Sequence, residues 1–363
     1  MSQFQVPHST STVRVRIIDT TSHIIVPFDM GAPPIKGHET LDCPSYAFLI
    51  EHASGRNLLY DLGVRKDPEN LAPVVVEHIR RNGWHVSAES NVRDLLEQHG
   101  VDPKSIEAII WSHWHYDHTG DPSTFDSFTA LIVGPGCKNT FLPGYPSNEG
   151  SPILESDYAG RELRELDFTT DELHIGQFDA VDYFGDGSFY LLDAPGHTVG
   201  HICALARVAT SPPSFIFMGG DCCHHSGELR PSRYLPLPDS IDPNPLAGVN
   251  GHTDAGTDIV CPGAIFEHLH RDGDRTKPFY GQARPGIPLC DPEVAEETII
   301  KVQEADVDPH VLVVIAHDMY LRGVVDFFPE SANDFVRKGW VGKCRWRFLK
   351  DFGGAIVQGR SKF

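Results

Sequence analysis

The chain has 363 residues, 40% hydrophobic and 22% charged, with 30 Lys and Arg against 50 Asp and Glu and a formal net charge of -20. That length supports one large globular domain or two modest ones, and so acidic a surface argues against a nucleic-acid partner. No apolar run approaches a membrane span, and the N-terminal MSQFQVPHSTSTVRVRIIDT shows no basic segment leading into an apolar one, so neither a membrane anchor nor a secretory signal is expected.

The first predicted element is TVRVRIIDT, which alternates charged and apolar residues at period two, as a half-buried strand does. SYAFLIEH and NLLYDLG read as two strands joined by the turn ASGR, a hairpin. Two helices follow. NLAPVVVEHIRRNG is apolar and stops at a glycine. SAESNVRDLLEQHG has Ser87 or Ser90 as its cap, Val92, Leu95 and Leu96 as a buried stripe, and Gly100 as its stop. The strand EAIIWSH then runs straight into HWHYDHTG, residues 113–120. Three more apolar strands lie within SFYLLDAPGHT, SFIFMGGD and HVLVVIAHD, each delivering Gly, His or Asp at its C-terminal end. Loops at such strand ends are where sites are built.

Residues of about 225–290 break this rhythm. The stretch PSRYLPLPDSIDPNPLAGVNGHTDAGTDIVCPG is rich in Pro, Gly and Asp and too long for an ordinary connection. It reads as an excursion inserted into a single domain spanning 1–363, either a lid over the site or a peripheral loop. Near the C-terminus, RKGWVGKCRWRFLK carries Arg337, Lys338, Lys343, Arg345 and Arg347 and reads as a mixed strand–helix ending with solvated cations. The eight cysteines include no CxxC pair, and adjacent Cys222 and Cys223 have poor geometry for a mutual disulfide. Free thiols and no signal point to a reducing, cytoplasmic setting. The terminal Ser361-Lys362-Phe363 departs from the peroxisomal Ser-Lys-Leu address in its last residue.

The chemistry concentrates in HWHYDHTG. Residues two apart in an extended segment point the same way, so His113 and His115 can reach one metal ion. Asp117 and His118 lie beyond, where the chain turns, and suit a second ion. The other strand ends supply His197, Asp221 and His317. The expected assembly places His113, His115 and His197 on one ion and Asp117, His118 and His317 on the other. Asp221 bridges them, one oxygen to each. Imidazole and carboxylate favour zinc, with iron, manganese or cobalt also accepted, over calcium or magnesium.

HWHYDHTG, PGHTVGH, GGD and AHD, with the earlier YDLG, resemble the metallo-β-lactamase superfamily over roughly Tyr60 to Asp318. The resemblance implies an αββα sandwich: two mixed sheets face to face, helices outside, and the site along one edge. It also implies that Asp61 is a buried structural residue. Within the superfamily, PSYAFLIEHASGRNLLYDLG, HWHYDHTGDPSTF, GHTVGH and AHD are most similar to the quorum-quenching N-acyl-homoserine lactonases. That likeness implies hydrolysis of a cyclic ester by a hydroxide shared between two ions, with Asp117 moving a proton to the leaving group. Those lactonases carry a tyrosine three residues after the bridging aspartate; here His224 stands there. His224, or its neighbour His225, is therefore expected to assist the leaving group or the carbonyl oxygen. The change opens an alternative, a lactam or cyclic carbamate, whose poorer leaving group benefits from a proton donor. Such a chain would act in detoxification or secondary metabolism. A glyoxalase II-like thioesterase is a further alternative, although the short segment after Asp318 offers no helical glutathione site. A non-catalytic metal-binding protein on the same fold is disfavoured because all seven ligands are present.

Several residues have two readings. Trp114 and Tyr116 line a substrate pocket or pack beneath it, and Phe28, Met30 and Tyr46 are candidate apolar pocket walls. His201 supports the ligands or packs in the core, and Cys222 and Cys223 read as buried, inert thiols. His252, His268 and His270 are ligand types without a matching partner set and stay outside the metal site. The expected partner is a small cyclic molecule.

Overall fold

Alternation decides the first sheet. The computed structural model describes residues 4–28, 35, 38–170, 172–248, 260–270, 273–281 and 289–360, the last four by backbone alone. In it the strand Val13–Asp19 turns Val13, Val15 and Ile17 into the core and pairs antiparallel with Tyr46–His52. Tyr46–His52 forms the expected hairpin with Asn57–Tyr60. From there the pairing is parallel, through Ile106–Ile110 and Ala130–Val133 to Leu163–Glu165. The second sheet is antiparallel from His174–Ile175 through Phe178–Asp182, Phe189–Asp193 and Ile202–Thr210 to Pro213–Met218. It closes on a parallel strand, Val311–Val314.

The two sheets bury one face each against the other. Val15, Ile17, Ile50 and Ile110 of the first meet Leu191, Ala204, Ile216 and Val314 of the second. Each of these Val, Leu and Ile side chains contributes about 1.5–3 kcal/mol by leaving water. Helices cover the outer faces. Val92 and Leu96 of the helix Val92–Gln98 pack on Leu49, Leu59 and Ile109. Ile299 and Val302 of the helix Pro292–Asp306 pack on Leu192, Leu205 and Phe217. The architecture is the expected αββα sandwich.

Three local expectations are corrected. Asn91, not Ser87 or Ser90, precedes the helix Val92–Gln98: its N–H donates to Asp94 Oδ2 at 3.2 Å and its Oδ1 accepts from Lys66 N at 3.0 Å. Ser90 N is taken by Thr21 Oγ1. The helix Pro73–Asn82 ends at Gly83 as expected, but buries none of its side chains fully. RKGWVGKCRWRFLK forms no strand. Trp340, Cys344, Phe348 and Phe352 recur at four-residue spacing, and that period gives helical turns at Phe335–Lys338, Trp340–Cys344 and Arg347–Phe352 with these four side chains buried.

The described part of the Pro-rich stretch packs inward. Leu237, Ile241, Cys261, Phe266 and Tyr280 join Ile24 and Leu41 from the paired strands His23–Pro27 and Thr40–Cys43, Phe28 just after the first of them, and Phe348 and Phe352. Next to this cluster lies a buried ion pair. Arg230 Nε and Nη2 donate to Asp306 at 2.7 and 2.6 Å, and both residues are buried. Burial pushes the Asp306 carboxyl up, but Arg230 outweighs it and holds it below the usual range. A depressed folded pKa stabilises the fold above the unfolded value of about 3.9, and the stabilisation is lost as pH falls through the folded value. Asp306→Asn strands the Arg230 charge in the interior. It is expected to destabilise the chain by about 3–5 kcal/mol at neutral pH, read by chemical denaturation, and to flatten the acid limb of the stability profile.

Candidate metal centre

Four strand ends converge on one edge of the sandwich. Ile106–Ile110 runs through Trp111 and Ser112 into His113, and one helical turn, Tyr116–Thr119, starts just after His115. The extended segment puts His113 and His115 together, and the turn swings Asp117 and His118 to a second position. Phe189–Asp193 leads to His197 through Gly196, whose φ is 119° and where an added Cβ would lie 2.2 Å from Ala295 N. Pro213–Met218 leads to Asp221 through Gly220, at φ 50° and with an added Cβ 2.9 Å from Ser112 Cβ. Only glycine meets both demands at these turns. Val311–Val314 ends three residues before His317.

The side chains form two groups that share one carboxylate. In the first, His113 Nε2, His115 Nδ1 and His197 Nε2 lie 2.9, 3.0 and 3.2 Å from one another. Asp221 Oδ2 is 3.6 Å from His113 Nε2 and 3.5 Å from His197 Nε2. In the second, Asp221 Oδ1 is 3.1 Å from both His118 Nε2 and His317 Nε2. Asp117 Oδ2 completes that group, 3.5 Å from His317 Nε2 and 3.9 Å from His118 Nε2. The seven side chains that the sequence offers as candidate ligands lie together here, divided between the two groups.

The far nitrogens are fixed by the protein. His317 Nδ1 donates to Pro44 O at 2.7 Å, His118 Nδ1 lies 2.9 Å from Asp61 Oδ2, and His113 Nδ1 lies 3.0 Å from Ser112 Oγ. Asp61 is held at φ 60°, a strained conformation for a residue with a side chain, and also accepts from Ser112 N at 2.6 Å. A proton on the far nitrogen leaves the near lone pair for a cation. His118 Nε2 and Asp221 Oδ1 are buried and, among the described residues, have no hydrogen-bond partner of suitable geometry. Buried polar atoms are rarely left so. Three ring nitrogens crowded at about 3 Å, one orphaned nitrogen and one orphaned carboxylate oxygen are what divalent ions would satisfy, and the donor set fits them.

The charges agree. Burial holds the His113 and His197 imidazoles well below their ordinary value and His115 down to about 3, so these rings are neutral. Burial acts the same way on His317, but Asp221 and Asp117 outweigh it and push it up to about 9. His118 likewise rises, against burial, under Asp221 and Asp61. Burial would raise the Asp221 carboxyl; His118 and His317 hold it far below the usual range. The second group thus carries its charge compensation in the shared carboxylate.

The remaining expected residues separate. His224 sits against both groups: its Nε2 is 3.5 Å from Asp221 Oδ2, and its ring is parallel to that of His317, with centroids 5.9 Å apart. His225 turns away, and its Nε2 meets Asp351 Oδ2 at 3.0 Å. Trp114 packs on Phe141 and donates to Thr198 Oγ1 at 2.8 Å, beneath the ligands. Tyr46 is fully buried between the sheets and donates to Asp318 O at 3.1 Å, so it is not a pocket wall. Strand alternation places it on the core face. Phe28 packs at a tilt against Tyr280 and His38, with ring centroids 4.4 and 4.5 Å away. Met30 and His252 lie outside the described residues. His201 does more than pack: its Nε2 accepts from Asp221 N at 3.0 Å and its Nδ1 donates to Ala194 O at 2.7 Å, which pins the loop carrying the shared carboxylate. Sequence reasoning passed over His38, Tyr320 and Asp351, which line a cavity of about 230 Å³ together with His317. No local pattern marks them, since His225 and Asp351 are 126 positions apart.

Among the described residues no helix is long and apolar enough to cross a membrane. Residues 40–208 match the Metallo-beta-lactamase superfamily. The chain is 46% identical to Gamma-lactamase FDB1 of Fusarium pseudograminearum, covering 96% of this chain and 84% of that protein. It is 44% identical to Metallo-hydrolase mfmC of Annulohypoxylon moriforme, covering 97% and 90%. Among solved structures, a B. thuringiensis AiiA variant with N-decanoyl-L-homoserine bound at its active site shares the fold, with a TM-score of 0.55, 15% identity, and coverage of 89% of this chain and 100% of that one. The chain belongs to the metallo-β-lactamase superfamily and is one of its hydrolases.

Proposed function

We propose that this hydrolase holds two divalent ions and opens a small cyclic amide, a lactam, with the cyclic ester as the second reading. The observation that carries the dinuclear reading is Asp221, which aims Oδ1 at one ligand group and Oδ2 at the other. The ions, zinc first among those this donor set accepts, would supply Lewis acidity toward the ring carbonyl and lower the pKa of water. The protein supplies the rest. Asp117 can hold a proton on its carboxylate as it passes from the attacking water to the leaving group.

The choice of amide over ester rests on His224. Its imidazole lies against both ligand groups, and among the described residues its Nδ1 has no hydrogen-bond partner. An amine leaves only when protonated, whereas an alkoxide leaves with less help, so a histidine with an uncommitted nitrogen matters more for a lactam. The 46% identity to a protein named a gamma-lactamase supports the same choice. The test is a hydrolysis screen of γ-lactams, γ-lactones, cyclic carbamates and glutathione thioesters, with metal content measured in parallel. Close to two ions per chain and ring opening are expected, with activity lost on chelation. Turnover of thioesters alone would sink the proposal.

A further inference from the structure

Beside the metal centre, a second polar cluster has no part in the chemistry above. Asp351 Oδ2 accepts from His225 Nε2 at 3.0 Å, and Asp351 Oδ1 accepts from the Tyr320 hydroxyl. His38 Nε2 is 3.7 Å from Asp351 Oδ2, and its Nδ1 meets the Tyr280 hydroxyl at 2.9 Å. Two histidines and a carboxylate are a ligand-type set, but their protons argue against a third ion. His225 Nδ1 accepts from Gly227 N at 2.9 Å, so the neutral ring carries its hydrogen on Nε2, facing Asp351. A cation at that nitrogen would need an imidazolate. The ligand His317 has the opposite arrangement, with its far nitrogen donating to a carbonyl.

The cluster therefore presents a carboxylate, not a metal site. Among the described residues, the ion-pair partners of Asp351 are His225 and His38, with no Lys or Arg. Burial pushes the Asp351 carboxyl up, yet the His225 hydrogen bond and the neighbouring imidazoles hold it below the usual range, so it is ionised. Its surroundings are aromatic: Phe28 and Phe348 pack edge-on against His225. An anion placed there costs stability unless hydrogen bonds satisfy it. A carboxylate accepts about four hydrogen bonds, and Asp351 faces the 230 Å³ cavity with two acceptor positions uncommitted to His225 and Tyr320. The same cavity is lined by His317. A molecule filling it touches both Asp351 and His317, the one member of the metal centre that lines it.

We propose that Asp351, oriented by His225 and Tyr320, recognises a hydrogen-bond-donating substituent, a hydroxyl or an amine, on the cyclic substrate at a distance from the ring carbonyl. The inference rests on the ring-opening reading above. The test compares 2-pyrrolidinones carrying a hydroxymethyl, an aminomethyl or an ethyl group. The wild-type protein is expected to prefer a donor-bearing ring over the ethyl ring by about tenfold or more in kcat/KM, the scale of one hydrogen bond to a charged group. Which donor is preferred identifies it as hydroxyl or amine. In Asp351→Asn the preference is expected to fall toward parity, mainly through KM. If that variant does not fold, Asp351→Glu, which displaces the charge by one methylene, supplies the comparison and should shrink the same ratio. Absence of a wild-type preference, or an unchanged preference in the folded variant, overturns the proposal. If no ring opens, the lactam reading fails by itself, and the ratio of Kd values for the same three compounds on metal-loaded protein decides the Asp351 proposal by the same criterion.

Discussion

Asp221→Asn is expected to lower ring-opening activity by at least about a hundredfold, the upper end of what partners outside the ligand shell alone cost. The reason is geometric. One carboxylate oxygen is 3.1 Å from His118 Nε2 and His317 Nε2, and the other lies 3.5 Å from His197 Nε2. An amide has one oxygen and turns an N–H group toward one of the two ligand sets, where a cation would meet a donor. The substitution also removes the anion that sets the His118 and His317 imidazoles against burial. The backbone stays pinned, because His201 holds the main-chain N–H rather than the side chain. Metal analysis should show the content falling from about two ions per chain toward one or none. Retention of both ions with full activity would show that the carboxylate is not shared.

His224→Ala is expected to separate two reactions. On a γ-lactam the loss should be roughly a hundredfold or more, within the range of general acid catalysis, and on the matching γ-lactone distinctly smaller. The ester expels an alkoxide, whereas the amide nitrogen must be protonated to leave. His224 belongs to neither ligand group, so metal content should not change. Equal losses on both rings would assign His224 to positioning, through its parallel stacking on His317. Unchanged turnover on both would remove it from the reaction.

The candidate metal-binding side chains were legible because they are local. His113, His115, Asp117 and His118 fall within six positions, where strand and turn geometry divide them into two sets without tertiary information. His197, Asp221 and His317 each stand a few residues past an apolar strand, and a sheet that buries those strands must bring their ends to one edge. The sandwich itself came from the resemblance to the superfamily; the apolar runs agree with it, since strands hydrophobic along their length need cover on both faces. The helix cap was not legible: Asn91 stands where Ser87 or Ser90 was expected, and its Oδ1 accepts from the remote Lys66 N.

What only the tertiary structure decided lies in contacts between remote positions. The adjacent residues His224 and His225 look equivalent in the chain, yet one faces the metal groups and the other Asp351. Tyr46 was placed by the face of its strand, and Arg230 and Asp306, 76 positions apart, by the packing of the turn Ser226–Leu229 on the helix Pro292–Asp306. Asp351 joined His38 and His225 through a C-terminal helical segment whose four-residue apolar period sets its buried face, but not the surface that face would meet. Spacing along a strand or helix fixes which side chains share a face. Which face meets which is fixed by the burial of whole surfaces against one another, and no stretch of the chain encodes that alone.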